Sequence, residues 1–237
     1  MSIISIHNVS KNYRSTKALD NISLDIQDGE LFGLLGLNGA GKTTLIKILC
    51  GLTKKTSGNI TINDLNLDTE INKIKEIIDI SPQETSVANN LTVRENLLFF
   101  ANIYNTANKI DEIVDTFNLN DVLDQRAKTL SGGYKRRLSI AIALISQPKI
   151  LFLDEPTLGL DVFARRDLWQ IIKKLQKNIT IILTSHYLEE IEHLCDRVAI
   201  LSKGNLLHIG TIDEIKTLTA TNNFEEAFIK LVEVKDA

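Results

Sequence analysis

At 237 residues, with 43% hydrophobic residues and a net charge of −3, the chain is long enough to bury a sizeable core, as one domain with a subdomain or as two small domains. So mild a charge excludes an electrostatic case for nucleic acid or an anionic membrane surface as partner, and no apolar run approaches the ~18 residues of a bilayer crossing. The N-terminal MSIISIHNVSKNY predicts no signal peptide, and Cys50 and Cys195, far apart in sequence, read as reduced buried thiols rather than a disulfide, so any membrane role works through a partner.

Ile3, Ile4, Ile6 and Val9 predict an opening strand, and Ile22, Leu24 and Ile26 alternate as a second. Asp28-Gly29 is a turn signal before the next apolar run, so this end reads as antiparallel hairpins. Tyr13, between the first two strands, is either an ordinary half-buried tyrosine or a platform for a base. Leu31 to Leu35 suits a strand buried on both faces. Gly36-Leu37-Asn38-Gly39-Ala40-Gly41-Lys42-Thr43 then matches the phosphate-binding pattern G-x-x-x-x-G-K-[ST], with a helix following over 44–52. Backbone N–H groups of such a loop converge on an anion, the helix adds the positive end of its dipole, Lys42 reaches the β/γ-phosphates and the Thr43 hydroxyl ligands Mg²⁺. The plainer reading is a glycine turn; the strand before and the helix after are the context that the motif requires.

Ser57-Gly58-Asn59 reads as a turn before a strand at Ile60–Ile62, residues 71–77 as a short helix, and 77–80 as a strand stopped at Ser81-Pro82-Gln83. Gln83 is either a metal or water contact or a solvated loop residue. Residues 84–129 lack glycine and proline, carry apolar residues at helical spacing and include a capping box, Thr92 with Glu95. They predict a helical subdomain, bounded at 83–129, inserted into an α/β core made of 1–82 and 130–237.

Ser131-Gly132-Gly133 precedes a helix with Leu138, Ile142 and Ile145 on its apolar face. It is either a second anion site by the same physics or an N-cap serine with two flexible glycines. Ile150 to Leu153 is an apolar strand ending in Asp154-Glu155-Pro156, and Asp161 is placed to cap a helix running to about Gln176. Ile179 to Leu183 is a further strand, followed by Thr184-Ser185-His186. A helix over 187–196 carries Glu189 and Glu190 near its positive end, and a hairpin around Lys203-Gly204-Asn205 and two short helices close the chain.

Phosphoryl transfer to water needs a phosphate cradle, a metal held by a hydroxyl and a carboxylate, and a group that orients or deprotonates the attacking water. Asp154, at the rim of a sheet, is the natural Mg²⁺ carboxylate. Glu155, the next residue, points elsewhere and is the candidate general base. The bland alternative is a polar strand end before a turn. His186, also at a strand end, either hydrogen-bonds a γ-phosphate or is a surface histidine.

Taken in order, GLNGAGKTT (36–44), Gln83, LSGGYKRRLSIAIAL (130–144), KILFLDEPTLGLD (149–161) and TSH (184–186) resemble the nucleotide-binding subunit of an ATP-binding cassette (ABC) transporter, along essentially the whole chain. The resemblance implies an α/β fold: a P-loop NTPase core with a mostly parallel sheet, an N-terminal antiparallel β subdomain and the helical insertion. It implies ATP and Mg²⁺ as ligands, with Gly36, Asn38, Gly39, Gly41, Lys42, Thr43 and Thr44 around the phosphates, Tyr13 on adenine, and Thr43, Gln83 and Asp154 at the metal. It implies catalysis by Glu155 and His186, and a head-to-tail pair in which Ser131, Gly132 and Gly133 of one copy face ATP held by the other while Asp161 signals across the pair. The implied partners are a transmembrane permease subunit and a second nucleotide-binding subunit, identical or closely related, with no nucleic acid. The implied location is cytoplasmic, on the inner face of the cell membrane through the permease.

KRRL after the signature, YLEEIEHLCDRVAIL (187–201) and FEEAFIKL (224–231) are similar to ABC-2 type exporters, which move drugs, antibiotics, lipids or polysaccharides outward. Two departures stand out. Tyr134 replaces the usual glutamine of the signature, and Val162 replaces a common proline after Asp161. Two other functions compete. A soluble ABC protein acting on ribosomes or DNA would usually carry two cassettes or a long coiled coil, for which residues 45–129 are too few. A non-hydrolysing regulator would not need Asp154, Glu155 and His186 intact.

Overall fold

The computed structural model describes residues 1–14 and 16–236. Alternating apolar residues open the chain in two long strands, β1 (Ser2–Tyr13) and β2 (Thr16–Gln27), whose antiparallel register sets Ile4 against Ile26, Ile6 against Leu24 and Val9 against Ile22. There follow β3 (Leu31–Leu35), α1 (Lys42–Leu49), β4 (Ser57–Ile62), β5 (Leu65–Asn66), α2 (Ile71–Lys75) and β6 (Ile78–Ser81). The stretch without glycine or proline contains α3 (Val93–Tyr104) and α4 (Ile110–Thr116). Thr92 caps α3 through the Glu95 N–H while the Glu95 carboxylate accepts from the Thr92 N–H, the reciprocal capping box that its sequence announces. The chain then runs through α5 (Gly132–Leu144), β7 (Ile150–Asp154), α6 (Val162–Leu175), β8 (Thr180–Ser185), α7 (Leu188–Leu194), β9 (Arg197–Ser202), β10 (Asn205–Gly210), α8 (Ile212–Leu218) and α9 (Phe224–Asp236).

Pairing divides the strands between two sheets. One is antiparallel, in the order β2-β1-β4-β5; the other runs β10-β9-β3-β8-β7-β6 and is parallel except for β10. The parallel strands are apolar throughout because both faces are covered. Leu31, Leu35, Leu151, Leu153, Ile181 and Leu183 turn into one core, shared with the helices from α3 onward. Phe32, Leu34, Ile150, Phe152 and Ile182 turn into another, shared with α1 and the antiparallel sheet. Since β3, β6, β7 and β8 run the same way, their C-terminal ends meet at one rim, which brings the residues following them together.

Several local expectations change. Asp28-Gly29 does not close a hairpin: β3 pairs with β8 and β9, so this turn hands the chain from the antiparallel sheet to the parallel one. Ser57-Gly58-Asn59 lies inside β4, paired to β1. The helix after the phosphate loop begins at Lys42 and ends at Leu49, and the last helix has 13 residues rather than being short. Both cysteines are free thiols.

Candidate nucleotide site

Gly41 caps α1 at φ 107°, a backbone conformation suited to glycine, and no side chain caps this helix start. A Cβ on Gly41 would sit 2.7 Å from Leu19 Cδ2 and 2.8 Å from the Ala18 carbonyl, and one on Gly36 would sit 2.3 Å from the Leu201 carbonyl. The glycines are therefore required by the packing of the loop against β2 and β9 as well as by its bend. The loop forms one wall of a cavity of about 660 Å³, lined by Asn38, Gly39, Ala40, Gly41, Lys42, Thr43 and Thr44, by Thr16, Lys17 and Ala18 from β2, and by Gln83, Glu155, Leu158, His186 and Lys203. Lys42 is buried and donates to the carbonyls of Gly36 at 2.6 Å and Leu37 at 3.3 Å. Burial lowers its pKa from the ordinary value, and the charges of Glu155 and Asp154 oppose that shift.

At the end of β7 the two acids part company. Asp154 is buried and accepts a hydrogen bond from the Thr184 hydroxyl at 2.5 Å. Glu155 stands at φ 47°, a left-handed conformation that non-glycine residues seldom adopt. Its N–H turns back to Thr184, 2.9 Å from the hydroxyl and 3.2 Å from the carbonyl, and the residue lines the cavity. His186 reaches the same place from β8, with Nδ1 3.2 Å from Glu155 Oε1. That nitrogen is misaligned for a hydrogen bond, so the contact is one of proximity.

Among the described residues no group of three or more His, Cys, Asp or Glu is arranged to hold a metal ion. The oxygen donors nearby, the Thr43 hydroxyl, the Gln83 amide and the Asp154 carboxylate, fit Mg²⁺, which takes few protein ligands and shares phosphate oxygens of its substrate.

The cavity thus gathers Asn38, Gly39, Gly41, Lys42, Thr43, Thr44, Gln83, Glu155 and His186. Gly36 lies just behind it, as a carbonyl partner of Lys42. Tyr13 is not in the lining; it pairs with Thr16 at the tip of the β1–β2 hairpin, partly exposed, with the Lys11 ammonium 4.6 Å from its ring centre. Ser131, Gly132, Gly133 and Asp161 are also outside. Ser131 caps α5 through the Tyr134 N–H, and Asp161 caps α6 through the N–H groups of Phe163 and Ala164. The Tyr134 ring packs beneath the Arg137 guanidinium, and Val162 occupies the first turn of α6 without disturbing the Asp161 cap.

Sequence reading missed Thr16, Lys17 and Ala18, which have no motif, and Thr184, whose hydroxyl bridges Asp154 and the Glu155 backbone. It also missed Arg136. This guanidinium is buried and donates to the carbonyls of Pro82, Asp154 and Pro156. Burial brings its pKa down to about 10, with Asp154 and Glu190 pulling upward, which leaves it charged at neutral pH.

Comparison with known proteins shows the family. The family model described as ABC transporter matches residues 19–158. The linearmycin resistance ATP-binding protein LnrL of Bacillus subtilis is 38% identical, over 88% of this chain and 69% of its own length. ABC transporter A family member 12 of Arabidopsis thaliana is 40% identical over 91% of this chain. The probable multidrug ABC transporter ATP-binding protein YbhF of Escherichia coli is 35% identical over 98%. The chain spans 25% of the Arabidopsis protein and 42% of YbhF. Among solved structures, the ATP-binding subunit of an ABC transporter superposes with a TM-score of 0.86 at 27% identity, covering 97% of this chain and 99% of that one. A dimeric ATP-binding cassette in a post-hydrolysis state, bound to ADP and Pi, superposes at 0.78 with 27% identity, covering 88% and 98%. With its phosphate loop, Glu155 and His186 on one cavity and the family model matched over residues 19–158, the chain belongs to the ABC transporter family, as one of its ATP-binding, ATP-hydrolysing cassettes.

Proposed function

We propose that this cassette binds Mg-ATP in the cavity around Lys42, pairs head to tail with a second cassette, and couples hydrolysis to a separate permease that exports its cargo. The observation that carries the reading is the division of the site: Lys42, Glu155 and His186 line one cavity, whereas Ser131 and Gly132, exposed, and Gly133, half-buried, lie outside its lining. A second copy supplies the missing wall. The dimeric relative bound to ADP and Pi supports the pairing.

In this reading the loop N–H groups and Lys42 hold the β/γ-phosphates and Tyr13 stacks on the base, while Thr43, Asp154 and Gln83 would hold a Mg²⁺ ion, which would supply positive charge against the phosphates. Glu155 takes a proton from the attacking water. His186, beside it, steadies the carboxylate and the γ-phosphate side of the cavity. Asp161, fixed at the start of α6, carries the state of one site to the other. The inserted helices, assigned to 83–129, carry the exposed Leu98, Phe99, Ile103 and Tyr104 of α3, a surface suited to a permease. Among the described residues no helix is long and apolar enough to cross a membrane, so the channel belongs to another polypeptide segment. The likeness to the B. subtilis resistance protein supports export, and an exporter's cassette belongs on the cytoplasmic face of the membrane.

Glu155→Gln tests the chemistry. It is expected to keep ATP affinity, slow hydrolysis roughly 10²–10⁴-fold as loss of a general base does, and accumulate an ATP-bound dimer in size-exclusion chromatography. Near-normal phosphate release would remove Glu155 from its role.

A further inference from the structure

Arg136 has an unusual set of partners. Its Nε donates to the Pro156 carbonyl at 2.8 Å, one Nη to Pro82 at 2.5 Å and the other to Asp154 at 2.8 Å. These carbonyls belong to two chain segments that meet at the rim of the parallel sheet: one follows the end of β6, just before Gln83, and the other runs from the end of β7 into the turn, on either side of Glu155. The side chain is 4% exposed. A planar guanidinium with N–H groups in a fixed fork can hold such a constellation, whereas the ammonium of lysine, a point charge on a flexible stem, cannot reach all of it at once. A buried hydroxyl pair, Ser139 on α5 with Ser81 on β6 at 3.1 Å, fastens the same helix to the same strand end.

Arg136 lies five residues beyond Ser131, the cap of α5, or about 7.5 Å along a helix axis. An α-helix moves as a stiff unit over that distance, so a displacement of the Ser131 end is carried to the guanidinium and to the carbonyls it grips. We propose that Arg136 is a positioning residue that fixes Gln83 and Glu155 relative to one another and to the Ser131 end of α5, so that docking of α5 on a second copy is felt in the subunit's own cavity. The link to a second copy rests on the head-to-tail reading above; the local fixing of Glu155 does not.

The test compares Arg136→Lys with Arg136→Gln, each alone and combined with Glu155→Gln, in the purified cassette with Mg-ATP. A misplacement of about 1 Å at a reacting group costs on the order of 10²-fold. Arg136→Lys is therefore expected to lower kcat about 10- to 100-fold while the Kd for ATP, measured by equilibrium binding, stays within about twofold of wild type. Because Arg136 acts through Glu155, the double variant is expected to hydrolyse no more slowly than Glu155→Gln alone, the non-additivity of groups that work as a unit. A purely structural role gives a different pattern: activity and ATP-binding capacity fall together with the folded fraction. That pattern, a wild-type kcat, or additive losses would each overturn the proposal. Arg136→Gln, which keeps a donor and drops the charge, supplies the same readings if the lysine variant fails to fold. Wild-type turnover in Glu155→Gln would retire the base assignment, so the two failures are read from different variants.

Discussion

An ammonium group buried beside two neutral carbonyls is poorly served. Lys42 has given up water, its hydrogen bonds go to Gly36 and Leu37, and burial pulls its pKa down. A triphosphate in the cavity supplies the full opposite charge that carbonyl dipoles do not. Charge-assisted hydrogen bonds contribute about 1.5–3 kcal/mol each, which corresponds to roughly a 10- to 100-fold change in affinity. Lys42→Ala is accordingly expected to weaken ATP binding by at least that factor in an equilibrium titration, with the fold intact by circular dichroism. Unchanged affinity would mean that the phosphates sit elsewhere. Glu155 shows the limit of residue-level reading. Alternation along a strand explains why Asp154 and Glu155 diverge, but the left-handed turn of Glu155 and its two bonds to Thr184 depend on a neighbouring strand 29 residues away. In the sequence Thr184 reads only as a small polar residue at a strand end.

The helices α6 and α7 meet over a buried acid. Glu190 is fully inaccessible, and its Oε1 accepts from the Trp169 indole N–H at 3.1 Å; Trp169 in turn stacks on His193. Burial raises the Glu190 pKa above the ordinary 4.5, with the hydroxyls of Ser185 and Thr157 and the Trp169 indole pulling the other way. The folded state therefore holds this proton more tightly than the unfolded chain. The stability this contributes is complete below the unfolded value near 4.5 and is lost as pH rises through the higher folded value. Glu190→Gln keeps an acceptor for Trp169 and does not titrate. Its Tm relative to wild type is expected to rise as pH is raised from about 4.5 toward neutrality; a difference independent of pH would show that Glu190 is not perturbed. Reading Glu189 and Glu190 alike, as acids near a helix start, fails here because sequence does not say which way α7 faces: Glu189 lies outside by Arg165, and Glu190 is buried. The same ignorance of partners made Asp28-Gly29 look like a hairpin turn and left Arg136 without a role inside the KRRL stretch. Elements carried by local chemistry, such as the phosphate loop or the Thr92 capping box, were legible because the residues that matter are neighbours in the chain.

At the scale of the molecule, Leu158 lines the cavity and is exposed, and further apolar side chains stand exposed in the phosphate loop, at Leu37, and at the start of α6, at Val162 and Phe163, the last 81% accessible. Exposed apolar side chains of this kind are what an association face presents, and the proposed head-to-tail pairing gives them a cover. A two-fold axis that completes one site completes both, since each copy lends the same patch to the other. This symmetry makes a complementation experiment possible. Gly132→Asp places a carboxylate at the start of α5, where its Cβ meets only Leu160 at 3.9 Å and a negative charge suits the helix dipole, so the subunit folds while the charge repels phosphates held by the other copy. Lys42→Ala disables the phosphate loop of its own copy and leaves its Gly132 surface intact. Each variant alone is expected to be inactive. Mixed in equal amounts, half of the random pairs are hybrids, and each hybrid holds one site with a wild-type loop facing a wild-type Ser131-Gly132-Gly133. Phosphate release is then expected to return to about a quarter of the wild-type rate, as one intact site in every second pair dictates for a two-fold dimer. If mixing restores nothing although the hybrids form, either the site is not shared between copies or one intact site cannot turn over alone, and single-turnover hydrolysis in the isolated hybrid separates these: a complete absence of product there sinks the shared site.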